Sequence, residues 1–132
     1  WMITVIQMFG ERRNCLVIDD DKLALRLAAT VCHELGLKVY VADTPAEAMD
    51  ELRRRRYEMV VVDHNVHGIA GFEILDQLRS MLRGVHLVVF TADHSDATRA
   101  VYCDRGASEF LYKPLSKQAI HFKLKALLER AA

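Results

Sequence analysis

Apolar residues recur along the chain in two alternating rhythms. CLVID (15–19), VYVA (39–42), MVVVD (59–63), HLVVFT (86–91) and SEFLY (108–112) are short runs rich in branched aliphatic and aromatic residues, the composition of strands. Between them, apolar positions fall three or four apart. Leu23, Leu27, Val31 and Leu35 predict a helix that Gly36 stops. Thr44, Pro45 and Glu47 form a capping box for a second helix, with Ala48, Met49 and Leu52 inside. Phe72, Leu75, Leu78 and Leu82 predict a third, running to 82. Ala97, Ala100, Val101 and Cys103 belong to a fourth that ends near Gly106. Ser116 caps a fifth, with Ala119, Ile120, Leu124, Leu127 and Leu128 inward. The runs at 59–63 and 86–91 are continuous rather than alternating, as expected of strands covered on both faces.

Five strands alternating with five helices predict βαβ units. Right-handed crossovers then give a parallel sheet with helices on both faces. Such sheets bind ligands beyond the carboxyl ends of their strands. The polar residues of this chain fall at those ends. The first run leads into Asp19, Asp20 and Asp21, the third into Asp63, the fourth into Thr91 and the fifth into Lys113-Pro114.

Three crowded carboxylates repel one another unless a cation neutralises them. Oxygen ligands without thiolates suit Mg²⁺, which is bound by a few carboxylates together with a phosphate. A hydroxyl (Thr91) and an ammonium (Lys113) on the same rim suit phosphoryl oxygens. Asp63 is then a candidate nucleophile that forms an aspartyl phosphate.

Composition narrows the picture further. The 132 residues fit one domain, with no linker between 14 and 130; residues 1–13 read as an N-terminal extension or fragment. Met2, Val5, Ile6 and Phe9 there make a helical stripe. Formal charge is zero, which argues against a dedicated nucleic-acid binder. No apolar run approaches a membrane span, so no membrane association and a cytoplasmic location are expected. Cys15, Cys32 and Cys103 read as free thiols. The run Arg53 to Arg56 reads as a solvated helix terminus. His64, His67 and His94 fall on the rim. They could serve a transition metal, but as exposed loop histidines they need no such role.

The stretches LVIDDD (16–21), VVVDHN (60–65), VVFTAD (88–93) and FLYKPL (110–115), in this order at strand ends, resemble the receiver domains of two-component response regulators. The resemblance covers residues 14 to about 130, so that 14–132 is the expected domain. It implies a flavodoxin-like fold with strand order 2-1-3-4-5. It further implies Mg²⁺ binding by Asp19, Asp20, Asp63 and the Asn65 backbone carbonyl, with Asp63 as phosphoacceptor. Thr91 matches the switch hydroxyl, Phe110 the switch aromatic, Lys113 the phosphate-contacting lysine and Ala92 the small residue after the Thr. Lys113-Pro114 is typically cis in the family. The implied partner is a histidine kinase or phosphotransfer protein. The implied output face, about 95 to 130, could also support a homodimer. No enzymatic activity is expected beyond self-phosphorylation and autodephosphorylation.

Two positions depart from the family pattern. His67 stands where a Pro is usual, and Ala70-Gly71 stands where Asp-Gly is usual. Asn65 and Asp93 occupy positions at which relatives adjust phosphoryl lifetime. Two other readings stay open. One is a pseudo-receiver, an interaction module that is not phosphorylated. The other is an enzyme of the haloacid dehalogenase type, for which Asp19-Asp20-Asp21 supplies a D-x-D spacing but the chain is too short for a cap.

Overall fold

A computed structural model describes residues 13–131; the N-terminal stripe lies outside them. The strands are β1 (Asn14–Ile18), β2 (Lys38–Ala42), β3 (Met59–Val62), β4 (Asn65–Val66), β5 (Ile69–Ala70), β6 (His86–Thr91) and β7 (Ala107–Tyr112). The α-helices are α1 (Lys22–Glu34), α2 (Pro45–Arg54), α3 (Gly71–Asp76), α4 (Asp96–Cys103) and α5 (Lys117–Ala131), and Arg79–Leu82 forms a 3-10 turn. Five strands make one parallel sheet in the order β2-β1-β3-β6-β7, the doubly wound order expected from the sequence.

Alternation along the strands sorts side chains to the two faces. Cys15, Val17, Met59, Val61, Val88 and Phe90 pack with α1 and α5 residues such as Ala28, Val31, Ile120 and Leu124. Leu16, Ile18, Val60, Val62 and Val89 pack on the other face with Ala48, Leu52, Ile74, Leu75 and Tyr102. All four residues of β3 are buried. Each such aliphatic side chain contributes roughly 1.5–3 kcal/mol of burial. The sheet thus forms a rigid platform whose carboxyl edge carries the site.

The caps read from the sequence are present. Thr44 Oγ1 accepts the Glu47 N–H at 3.1 Å, and Ser116 Oγ accepts the Ala119 N–H at 3.1 Å. Lys113-Pro114 is cis. Cys15 and Cys32 are buried thiols with their sulfurs 3.4 Å apart, and Cys103 is an exposed free thiol.

Three expectations need correction. First, of the expected stripe Val31 is buried and Leu27 and Leu35 pack partly buried against the core, but Leu23 is 79% exposed, and Ala24, Ala28 and Cys32 complete the buried face of α1. The small alanines let this helix lie close to the sheet. Second, the third helix does not run to 82. It ends at Asp76, Leu78 leaves helical geometry at φ −131°, and the 3-10 turn follows. Leu78 and Leu82 still pack against the core from that turn, so the apolar period is met by two short pieces. Third, Arg55 is not simply solvated. It pairs with Glu51, and its guanidinium lies 3.9 Å from the Tyr40 ring centre. The other three arginines of that run are exposed.

The β4–β5 hairpin has no counterpart in the sequence reading. Asn65 pairs with Ala70 and Val66 with Ile69, which leaves His67 and Gly68 as a two-residue loop. Both have positive φ, 49° and 79°, as a type I′ turn requires. Proline, fixed near −65°, cannot occupy the His67 position in this hairpin.

Candidate functional site

The backbone ladder delivers the carboxylates to the rim. The Asp19 N–H donates to the Ala42 carbonyl at 3.1 Å, and the Asp63 N–H donates to the Ile18 carbonyl at 2.9 Å. Each acid is thus the first residue beyond its strand, held by the neighbouring strand. Asp19, Asp20 and Asp63 each offer an oxygen within 4.8 Å of the others, the one such His/Cys/Asp/Glu group among the described residues. Asp21 is spent differently. Its Oδ1 caps α1, accepting from the Leu23 N–H at 3.0 Å. The second acid of the D-x-D spacing is therefore a helix cap.

Lys113 closes the cluster. Its Nζ donates to Asp19 Oδ2 at 2.8 Å and to Asp63 Oδ2 at 3.2 Å. Its backbone N–H donates to the Thr91 carbonyl at 2.8 Å, which fixes one strand end against the next. Burial pushes the Asp19 carboxyl up to about 6, with Asp63 repulsion adding to it, against the opposing pull of Lys113 and the Asp21 N–H. Burial alone would lower the Lys113 ammonium, but the two carboxylates outweigh it and hold it above its usual value. One ammonium among three carboxylates leaves a negative charge that a hard cation would neutralise. The donor set is all oxygen, which fits Mg²⁺.

Thr91 is buried, and its Oγ1 accepts the Asp93 N–H at 3.1 Å. The Asp93 carboxylate accepts from the Thr98 hydroxyl at 2.7 Å and the Ser95 N–H at 2.9 Å, and these bonds hold it down to about 2. Phe110 is buried, with the Arg99 guanidinium 4.4 Å from its ring centre and Tyr112 stacked beside it. Asn65 lies in β4, and its amide oxygen accepts the Gly68 N–H at 2.9 Å. The hairpin also reaches the acids, because the His67 N–H donates to Asp20 Oδ2 at 2.9 Å.

The histidines part company. His67 and His94 are exposed, the latter against the Tyr112 ring. His64 is not the exposed loop histidine that the sequence suggested. Its ring stacks on Phe72, its Nδ1 lies 2.9 Å from the Tyr102 hydroxyl and its Nε2 lies 4.0 Å from Asp93 Oδ2. The three rings do not converge on a metal site.

Sequence reasoning also missed Tyr102 and the role of Gly71. Tyr102 is fully buried, and its hydroxyl accepts the Phe72 N–H at 3.0 Å. A Cβ on Gly71 would come within 2.3 Å of the Asp63 carbonyl oxygen and 2.8 Å of the Tyr102 hydroxyl. The available signal was the spacing of Thr98 and Tyr102. Four residues apart, they share one helix face.

The doubly wound sheet thus carries an acidic trio and a lysine together at its carboxyl edge. Residues 15–125 match the response regulator receiver domain, and the chain belongs to that family. It is 31% identical to the response regulator MprA of a Mycobacterium strain over 89% of this chain and 51% of that protein. It is 26% identical to the autoinducer 2 sensor kinase/phosphatase LuxQ of Vibrio parahaemolyticus over 94% of this chain and 15% of that protein. The chain thus spans from a seventh to a half of these relatives. A response regulator from Burkholderia pseudomallei, solved with a phosphorylated aspartic acid, calcium ion and citrate, is similar at 27% identity and a TM-score of 0.77. That match covers 90% of this chain and 68% of the other. No described helix is long and apolar enough to cross a membrane.

Proposed function

We propose that this receiver domain takes a phosphoryl group onto Asp63 from the phosphohistidine of a histidine kinase or phosphotransfer protein. The observation that carries the reading is Lys113 Nζ bridging Asp19 and Asp63 beside Asp20. An Asp63 carboxylate oxygen attacks phosphorus, the P–N bond to the donor imidazole breaks, and that ring leaves with the electron pair. Asp19, Asp20, Asp63 and the Asn65 backbone carbonyl would hold Mg²⁺, which supplies charge stabilisation to the phosphoryl oxygens. Lys113 transfers its ammonium from the free carboxylate to the new phosphoryl oxygens. Thr91 turns its hydroxyl toward them and Phe110 follows, which alters the 95–130 face for a partner or a second copy. The domain performs no chemistry beyond its own phosphorylation and dephosphorylation. The haloacid dehalogenase reading loses support because Asp21 caps α1.

The test is incubation with acetyl phosphate and Mg²⁺, followed by intact mass. Wild type should gain one phosphoryl mass that hydroxylamine removes and chelator prevents, and Asp63→Asn should gain none. Equal labelling of both proteins, or of neither, would sink the reading; labelling of neither would favour a non-phosphorylated interaction module.

A further inference from the structure

Helix α4 buries two residues, Thr98 and Tyr102, and both are polar. Neither sits in an apolar socket alone. The Thr98 hydroxyl donates to Asp93, two residues past Thr91. The Tyr102 hydroxyl accepts the Phe72 N–H and lies 2.9 Å from His64 Nδ1, beside Asp63 in the chain. His64 Nε2 in turn faces Asp93 at 4.0 Å. The contacts close a ring: Asp93 to Thr98, along α4 to Tyr102, across to His64 and back to Asp93.

The Phe72 N–H is one of the amides that every helix leaves without an intrahelical partner at its start. Ala70, at the cap of α3, has no side chain that can take one. Tyr102 therefore caps α3 from another helix. With its oxygen accepting from Phe72, its own proton is free for His64 Nδ1. Burial raises the phenol well above its usual value, so the proton stays on. A seat made of directional hydrogen bonds holds one arrangement or another rather than sliding continuously.

We propose that Tyr102 is a positioning residue that couples the phosphoacceptor loop to α4. Its hydroxyl holds His64 and the start of α3, and a change at Asp63 reaches α4 through this oxygen, separately from Thr91 and Phe110. The inference rests on the reading of Asp63 as phosphoacceptor.

The test uses the 132-residue chain, ¹⁵N-labelled, with Mg²⁺ and beryllofluoride added as the phosphoryl mimic. In wild type a fluorine resonance of bound beryllofluoride should appear and the amides of Thr98 to Cys103 should shift. Tyr102→Phe keeps the ring packing against Phe72 and His64 and removes only the oxygen. It should keep the bound fluorine signal and the Thr91 shift while the α4 shifts are at least halved. His64→Leu should lose the same share, and the double variant no more, because both act through one bond. Bound fluoride with undiminished α4 shifts in both single variants overturns the coupling and leaves the phosphoacceptor reading standing. Absence of a bound signal in wild type overturns both.

Discussion

Gly71 is set by contact rather than by backbone angle. The Asp63 carbonyl, the Tyr102 hydroxyl and a Val62 methyl all crowd the place of its missing Cβ. Gly71→Ala should therefore destabilise the domain by roughly 2 kcal/mol through overpacking, measured by urea unfolding. A loss under about 0.5 kcal/mol, the scale of an ordinary surface change, would show that the loop gives way easily. At this scale the sequence was legible where a residue's chemistry and its strand-end position coincide, as at Asp19, Asp63, Thr91 and Lys113. It was not legible for Gly71, whose Cβ space is taken first by the Asp63 carbonyl and then by Tyr102 of α4 and Val62, contacts that only the folded chain brings together. His64 misled because the Tyr102 ring that covers it is distant in sequence and the Phe72 ring reaches it only across the hairpin between them.

At the scale of elements, Arg105, just past α4, ties the end of α3 to α4 in addition to the Tyr102 cap. The Arg105 guanidinium donates to both carboxylate oxygens of Asp76, at 2.8 and 2.7 Å, donates to the Val101 carbonyl and lies 4.6 Å from the Phe72 ring centre. Lysine cannot reproduce that fork. With the pair partly exposed, Arg105→Lys should cost about 1 kcal/mol at neutral pH. Arg105 holds the Asp76 carboxyl below its ordinary 3.8. The contribution is therefore present above that value and fades as pH falls through the lower folded value. The stability gap between wild type and variant should narrow in acid; a gap constant from pH 7 to below 4 would assign the effect to packing on Phe72. Element existence was readable from periodicity, and caps at Thr44 and Ser116 from their residue types. The break after Asp76 was not, since a helix and a helix followed by a 3-10 turn bury the same leucine spacing. The hairpin was missed because two-residue strands carry no period at all.

Over the whole molecule, alternating strands and helices were enough to foretell a doubly wound sheet, and the order β2-β1-β3-β6-β7 follows the family. The loop above the acids does not follow the family's sequence, and this bears on how the domain can be engineered. Stabilisation by family consensus assumes that the commonest residue suits the shared backbone. Here the commonest residue at position 67 is a proline, which would have to replace a φ of 49° and delete the N–H that Asp20 accepts. His67→Pro should lower stability by more than about 1 kcal/mol in thermal unfolding, whereas His67→Asn, at ease with positive φ, should be nearly silent. If His67→Pro were as stable as wild type, the hairpin would be one of several loops that this chain can adopt. Otherwise the most ordinary residue among its relatives is the wrong one for this chain, and a design borrowed from them must bring the whole hairpin with it or leave position 67 alone.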